Sequence, residues 1–326
     1  MPSSSSPPRQ QLTNLLTNFQ AGDFGKAEKL AIAITQEFPN DSFAWKVLAS
    51  AYKRMGRECE AVSANERAVA LSPMDAEAHF NLGNTLQEVG RIDAAEASYL
   101  QAIKLKSNYA EALCNLGIIL LASNKLDEAE ESLRQAIKFK PNFDIALCTL
   151  GNTLLLSGRL DEAETYFRRT IELTPNYAEA HSNLGNILKA LGKLEESEAS
   201  YRQAIAIKDD YFEAHSNLGV ALKELGRLEE SEASLRQALA VKPDYAEVHS
   251  NLGVTLKELG RYDEAETNLR QAIVLKPDFS EAHCNLGNML NELGRLKESE
   301  ASYKQAIALK PDYAEAHHNL SFTLLK

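Results

Sequence analysis

The chain has 326 residues, a formal net charge of −11 and a hydrophobic fraction of 44%. This acidity excludes a general nucleic-acid or anionic-membrane surface as its working face. No apolar run approaches the roughly 18 residues that a bilayer crossing needs.

One phrase organises the rest. HSNLG stands at 181–185, 215–219 and 249–253, an interval of 34 residues each time, and residues 178–211 match 212–245 at 25 of 34 positions. Self-similarity at such a period marks stacked supersecondary units, none of which buries its own apolar face alone. Extending the frame gives 8–41, 42–75, 76–109, 110–143, 144–177, 178–211, 212–245, 246–279 and 280–313, with half a unit at 314–326.

In chain order, the polar, Pro/Ser-rich residues 1–7 read as a disordered tail without the apolar core of a secretory signal, and a cytoplasmic location is expected. The unit 8–41 diverges most, as a terminal cap does. Unit 246–279 is representative. Val248, Leu252, Leu256 and Leu259 recur three and four apart, and after Gly260 the pattern resumes with Tyr262, Ala265, Leu269, Ala272, Ile273 and Leu275 until Pro277. Each unit is therefore a pair of antiparallel helices, A and B. The closing residue of helix A is Gly56, Gly90, Gly158, Gly192, Gly226, Gly260 or Gly294, and Asn124 in one unit, the residue that tolerates a left-handed backbone best after glycine.

The pairs Asn176/Glu179, Asp244/Glu247, Asp278/Glu281 and Asp312/Glu315 are three residues apart and predict capping boxes at the start of helix A. Small residues such as Gly253 and Ala265 let A approach B closely. Cys114, Cys148 and Cys284 share one repeat position, so their spacing reflects the period and predicts no disulfides. His79, His181, His215, His249, His283 and His317 also occupy one slot. Side chains a repeat apart cannot converge on a metal, and they read as packing groups.

Asn81, Asn115, Asn183, Asn217, Asn251, Asn285 and Asn319 precede the core leucine of helix A, facing away from helix B. A carboxamide both donates and accepts, so a row at repeat spacing could hold the main chain of an extended peptide. The alternative is that these amides tie helix A to its neighbour. Further along the same face stand Asn186, Lys189, Lys223 and Lys257 in units 178–279, and the apolar Ile118, Leu121 and Leu155, with Leu156, in units 110–177. The expectation is a two-part groove, apolar first and polar second, unless those leucines bury against adjacent helices. No phosphate-gripping glycine loop, nucleophile elbow or paired metal motif occurs, so no catalytic residue, metal or cofactor is expected.

The pattern resembles the tetratricopeptide repeat family. Leu82, Gly83, Gly90, Ala95, Tyr99 and Ala102 fall where that family places its signature residues, and Trp45, Leu48, Tyr52, Gly56, Ala61, Ala68 and Pro73 match in an earlier unit. The resemblance implies an all-α, right-handed superhelical α-solenoid that acts as a scaffold, with a protein or peptide partner in its concave groove. AHSNLG looks most like the repeat region of bacterial protein O-linked N-acetylglucosamine transferase-like proteins, in which a comparable asparagine ladder binds protein substrates. A carboxylate clamp for chaperone tails is disfavoured by Ser182, Ser216 and Ser250. Residues 314–326 end in Phe322, Leu324 and Leu325 without a helix B. They are expected either to self-associate end to end or to lead into a longer glycosyltransferase or other transferase.

Overall fold

The structure, a computed structural model, describes residues 6–325, so most of the expected N-terminal tail lies outside the described residues. Pro7 is buried, and Pro8 sits at the N-cap of the first helix. Nineteen helices and no strands occur among the described residues. The chain divides into two compact units, one up to Arg159 and one from Leu160, a division that falls inside the repeat at 144–177.

In the first unit the A helices are α1 (Arg9–Gln20), α3 (Ser42–Arg54), α5 (Ala76–Glu88), α7 (Ala110–Ala122) and α9 (Asp144–Leu156). The B helices are α2 (Phe24–Glu37), α4 (Glu58–Leu71), α6 (Ile92–Leu105) and α8 (Leu126–Phe139). The second unit opens with a B helix, α10 (Leu160–Leu173), and continues with the pairs α11 (Ala178–Ala190) and α12 (Leu194–Ile207), and α13 (Phe212–Glu224) and α14 (Leu228–Val241). It ends with α15 (Ala246–Glu258) and α16 (Tyr262–Leu275), α17 (Ser280–Glu292) and α18 (Leu296–Leu309), and α19 (Ala314–Leu324). Each unit is an α-solenoid of helix pairs. Within each, α7 touches α5 and α9, and α15 touches α13 and α17, whereas successive B helices make no comparable contact among the described residues. The A helices therefore form the inner layer of each stack and the B helices the outer.

Close approach of A to B comes from small residues. A Cβ built on Gly219 would lie 2.6 Å from Leu235 Cγ and 3.3 Å from the Ser231 carbonyl, and one on Gly185 would lie 2.6 Å from the Tyr201 ring. Gly83, Gly117, Gly253 and Gly287 meet Tyr99, Leu133, Leu269 and Tyr303 in the same way. Where Ser replaces Ala beneath the glycine, Ser197, Ser231 and Ser299 donate to the carbonyls of Gly185, Gly219 and Gly287 at 2.7–2.8 Å. At each A-to-B turn the predicted residue is left-handed, with φ 72–75° for the glycines and 58° for Asn124; Gly22 does the same in the first repeat at 78°.

The capping boxes do not form as expected. Tyr177, Tyr245, Phe279 and Tyr313 occupy the N-cap positions, with no side-chain cap bond. The aromatic residue between the Asp or Asn and the helix carries the extended backbone, which moves the acid one residue too far out to cap. Only where no aromatic intervenes does the acid cap, at Asp41 to Ala44 N and at Asp75 to Glu77 N and Ala78 N. Glutamates at this helix position instead tie the start of helix A to the end of helix B within one repeat. Lys140 pairs with Glu111 at 3.0 Å, and Lys276 with Glu247 at 2.8 Å. The shared histidines close the inter-repeat loop: a ring Nε2–H donates to the carbonyl six residues earlier, as from His181 to Pro175 at 2.9 Å and His215 to Asp209 at 2.8 Å. All four cysteines are free thiols.

On the outer layer of the second unit, charges close into rings of four. Arg261 reaches Glu232 at 2.6 Å and Glu264 at 2.7 Å, while Arg236 reaches the same two at 2.8 and 2.9 Å. Arg227, Arg202, Glu198 and Glu230 repeat the ring one repeat earlier, and Arg295, Arg270, Glu266 and Glu298 one repeat later. Isolated surface pairs contribute little, but a carboxylate shared by two guanidiniums belongs to a network, where geometry is fixed.

Two outcomes follow from this packing. Ala in place of Gly219 gains up to about 1 kcal/mol of helix propensity but meets Leu235, and overpacking costs about 1–3 kcal/mol. Gly219→Ala should therefore lower the urea midpoint, and an unchanged or raised midpoint would show that Leu235 yields freely. Burial pushes the Glu232 carboxyl up, but Arg236 and Arg261 outweigh it and hold it low; Arg295 and then Arg270, against burial, do the same for Glu266. Depressed carboxylates contribute stability above their unfolded value of about 4.3 and lose it as pH falls through the folded values. The urea midpoint should hold down to about pH 4.5 and drop below it, more steeply than in Glu232→Gln.

Candidate functional site

The inner layer is lined by the residues one and four places along from each core position of helix A. Every asparagine of the predicted row is half-buried there: Asn81, Asn115, Asn183, Asn217, Asn251, Asn285 and Asn319. They are not equivalent. In three places an asparagine one turn further along a preceding helix, Asn84, Asn186 or Asn288, gathers two donors on its Oδ1. The buried tyrosine of the same repeat supplies one: Tyr201 donates to Asn186 and Tyr303 to Asn288 at 2.7–2.8 Å, while the one proton of Tyr99 is shared between Asn84 Oδ1 and Gln87 Oε1. The next repeat donates the other, from Asn115, Asn217 or Asn319 Nδ2 at 2.8–2.9 Å.

Burial raises the hydroxyls of Tyr99 and Tyr201 well above their ordinary value and pushes Tyr303 up to about 12. They remain donors across the physiological range. With both lone pairs of Asn186 Oδ1 filled, the ends that the pair leaves uncommitted are Asn186 Nδ2 and Asn217 Oδ1. The corresponding Asn288 Nδ2 reaches Glu315 at 3.2 Å. The reading in which the amides tie helix A to its neighbour thus holds for Asn115, Asn217 and Asn319, and also for Asn285, which donates to Ser250 Oγ at 3.2 Å.

The pattern depends on the preceding repeat. Where Val220 or Val254 stands in place of Asn186, no carboxamide oxygen is offered, so Asn251 keeps both ends of its amide and Asn285 turns to a serine. Lys189, Lys223 and Lys257 are half-buried on this face. Lys257 is neutralised by Glu292 of the following repeat at 2.9 Å, as Lys53 is by Glu88 at 2.7 Å; Lys189 and Lys223 make no such pair.

The apolar part lies wholly in the first unit and the polar part wholly in the second. Ile118, Leu121 and Leu155 are half-buried, and Leu156 is 64% exposed. Leu121 packs against the cluster of Leu82, Leu86, Leu116 and Leu120. Part of its surface is therefore taken up by that cluster, and the rest is exposed. Cys114 and Cys148 are buried beneath the face. Among the described residues no group of three or more His, Cys, Asp and Glu could hold a metal, and no helix is long and apolar enough to cross a membrane. Phe322 and Leu325 of the last helix region are exposed at 53% and 83%.

Sequence periodicity missed the tyrosines that orient the asparagines. The signal was present, since Tyr99, Tyr201 and Tyr303 occur only in repeats that also carry Asn84, Asn186 and Asn288. Because Tyr201 and Asn217 share one acceptor, their losses should not add. A double-mutant cycle of Tyr201→Phe and Asn217→Ala should give a coupling of about 0.5 kcal/mol or more in unfolding free energy; strict additivity would break the proposed sharing.

Models of the TPR repeat match residues 151–192, 185–226 and 287–326, and of the tetratricopeptide repeat residues 74–142 and 210–276, together more than half of the chain. No curated protein matches it in sequence. Among solved structures, a chain in the crystal structure of the APC/C hetero-tetramer Cut9-Hcn1 is similar with a TM-score of 0.64 at 17% identity, over 92% of this chain. This chain spans 58% of the length of that one. Pseudomonas aeruginosa PilF is similar with a TM-score of 0.58 at 16% identity, over 67% of this chain and 97% of its own. At such identities the likeness is one of fold.

Proposed function

This chain belongs to the tetratricopeptide repeat family, and we propose that it is a protein-interaction scaffold whose A-helix layer binds an extended peptide segment. The observation that carries the reading is the state of the inner-face amides. Asn186 Nδ2 and Asn217 Oδ1 are held in place by Tyr201 and by each other, which leaves a fixed donor beside a fixed acceptor. One peptide group of an extended chain offers the complementary C=O and N–H. Holding the amides before binding reduces the ordering cost that a flexible surface would add. Asn251, with both ends of its amide uncommitted, extends the row, and Lys189 and Lys223 favour an acidic ligand in the second unit.

The finer resemblance, to the repeat region of O-linked N-acetylglucosamine transferase-like proteins, rests on the AHSNLG phrase. On that reading the bound segment belongs to a transferase substrate, and the groove chemistry is unchanged.

The test is to pan the immobilised chain with phage-displayed random peptides and measure the affinity of the selected sequences. Changing Asn186, Asn217 and Asn251 together to Ala should weaken them by about tenfold or more, at about 0.5–1.5 kcal/mol per hydrogen bond, with helicity by circular dichroism retained. Undiminished binding to a folded triple variant would remove the amides from the site.

A further inference from the structure

In most repeats the residue facing the small A-helix position is a large plug: Tyr99, Leu133, Tyr201, Leu235, Leu269 or Tyr303. The repeat at 42–75 departs from this twice. Its A-helix residue is Ala49, and its plug is Asn65, 4% exposed on α4. The shorter side chain leaves a cavity of about 40 Å3 between α3, α4 and α5.

The cavity is polar. Its floor is Ala49, Asn65 and Thr85, all buried; its rim is Ser50, Asn81 and Asn84, half-buried, and the exposed Lys53. The rim therefore opens on the A-helix face. The orientation of Asn65 is fixed by its neighbours. Thr85 Oγ1 donates to the Asn81 carbonyl at 2.9 Å and so must accept from Asn65, whose Nδ2 lies 2.9 Å away. The carboxamide oxygen is left buried with no protein partner, and an unmet buried acceptor is costly. On the rim, Asn84 accepts from Asn115 Nδ2 at its Oδ1, so its Nδ2 is the end that remains.

We propose that this cavity is a recognition pocket for a serine side chain of a bound peptide, an inference that rests on the A-helix face being a peptide groove. The occupant must donate to Asn65 Oδ1 and accept from an amide N–H. A hydroxyl does both. A carboxylate would set an acceptor against an acceptor, and a lysine or arginine has no acceptor to offer the Asn84 amide. The volume limits the group further. A cavity of about 40 Å3 with a narrow polar floor suits a short side chain such as a hydroxymethyl group better than an aromatic ring. Asn81, at the rim, is also the first asparagine of the inner row, which places the pocket beside the main chain it would anchor.

The experiment is the same peptide panning, comparing the parent chain with a plugged and an emptied pocket. The plugged variant combines Ala49→Gly with Asn65→Leu, the pairing that Gly117/Leu133 and Gly219/Leu235 already use; the emptied variant is Asn65→Ala. The parent should enrich serine at one fixed position of its selected peptides by about fivefold, the worth of a neutral hydrogen bond of about 1 kcal/mol. Both variants should lose that enrichment and keep the rest of the pattern. Serine enrichment that persists in the plugged variant, or peptides selected by the parent with no fixed serine, would overturn the pocket while leaving the groove. Selection of no peptide by any of the three would overturn the groove and the pocket with it.

Discussion

The structure depends on one steric constraint, the contact of a small residue on helix A with a large one on helix B. Glycine at 83, 117, 185, 219, 253 and 287 admits a tyrosine or leucine to within a distance that a methyl group would forbid. That contact sets the separation of the pair. It also places the far end of a tyrosine next to the inner face, where its hydroxyl reaches an asparagine. Packing and site are thus one arrangement: the ring that fills the core also aims the amide. In the repeat where Ala49 faces Asn65, the same constraint is relaxed, and a polar cavity takes the place of the ring.

The inner face is correspondingly less uniform than a row of identical amides. Each asparagine is governed by what the preceding repeat offers it. An oxygen at Asn84, Asn186 or Asn288 recruits the next amide into a bond between repeats; a valine there offers none, so Asn251 stays uncommitted and Asn285 turns to Ser250. Such bonds commit half of a carboxamide and hold the other half still. A peptide meeting this surface would encounter fixed donor–acceptor pairs at intervals, separated by residues with a freer amide. The outer layer has a different task. Its arginines and glutamates are spent on each other in closed rings within the second unit, which leaves the inner layer as the face with hydrogen-bonding capacity to spare.

The reading of the sequence succeeded where a feature is local and periodic. The pairing of helices A and B, the left-handed turn residues including Asn124, and the small A-helix positions follow from φ preferences and from apolar spacing, which operate over a few residues. It failed at the capping boxes. A one-residue shift of the helix start, caused by Tyr177, Tyr245, Phe279 or Tyr313 taking the extended N-cap position, left the predicted caps unformed. Glu247 instead reaches Lys276 at the far end of its own repeat, a separation that no local pattern encodes.

The sequence by itself determined the array of 34-residue helix pairs and the residue at which each pair turns, because period and helical phase suffice for both. Only the tertiary structure decided which amides are committed, which lysine is neutralised, and where a plug gives way to a cavity. Those outcomes depend on side chains about thirty residues apart meeting across a repeat boundary, and a hydrogen bond is decided by the atoms that actually come within reach of one another.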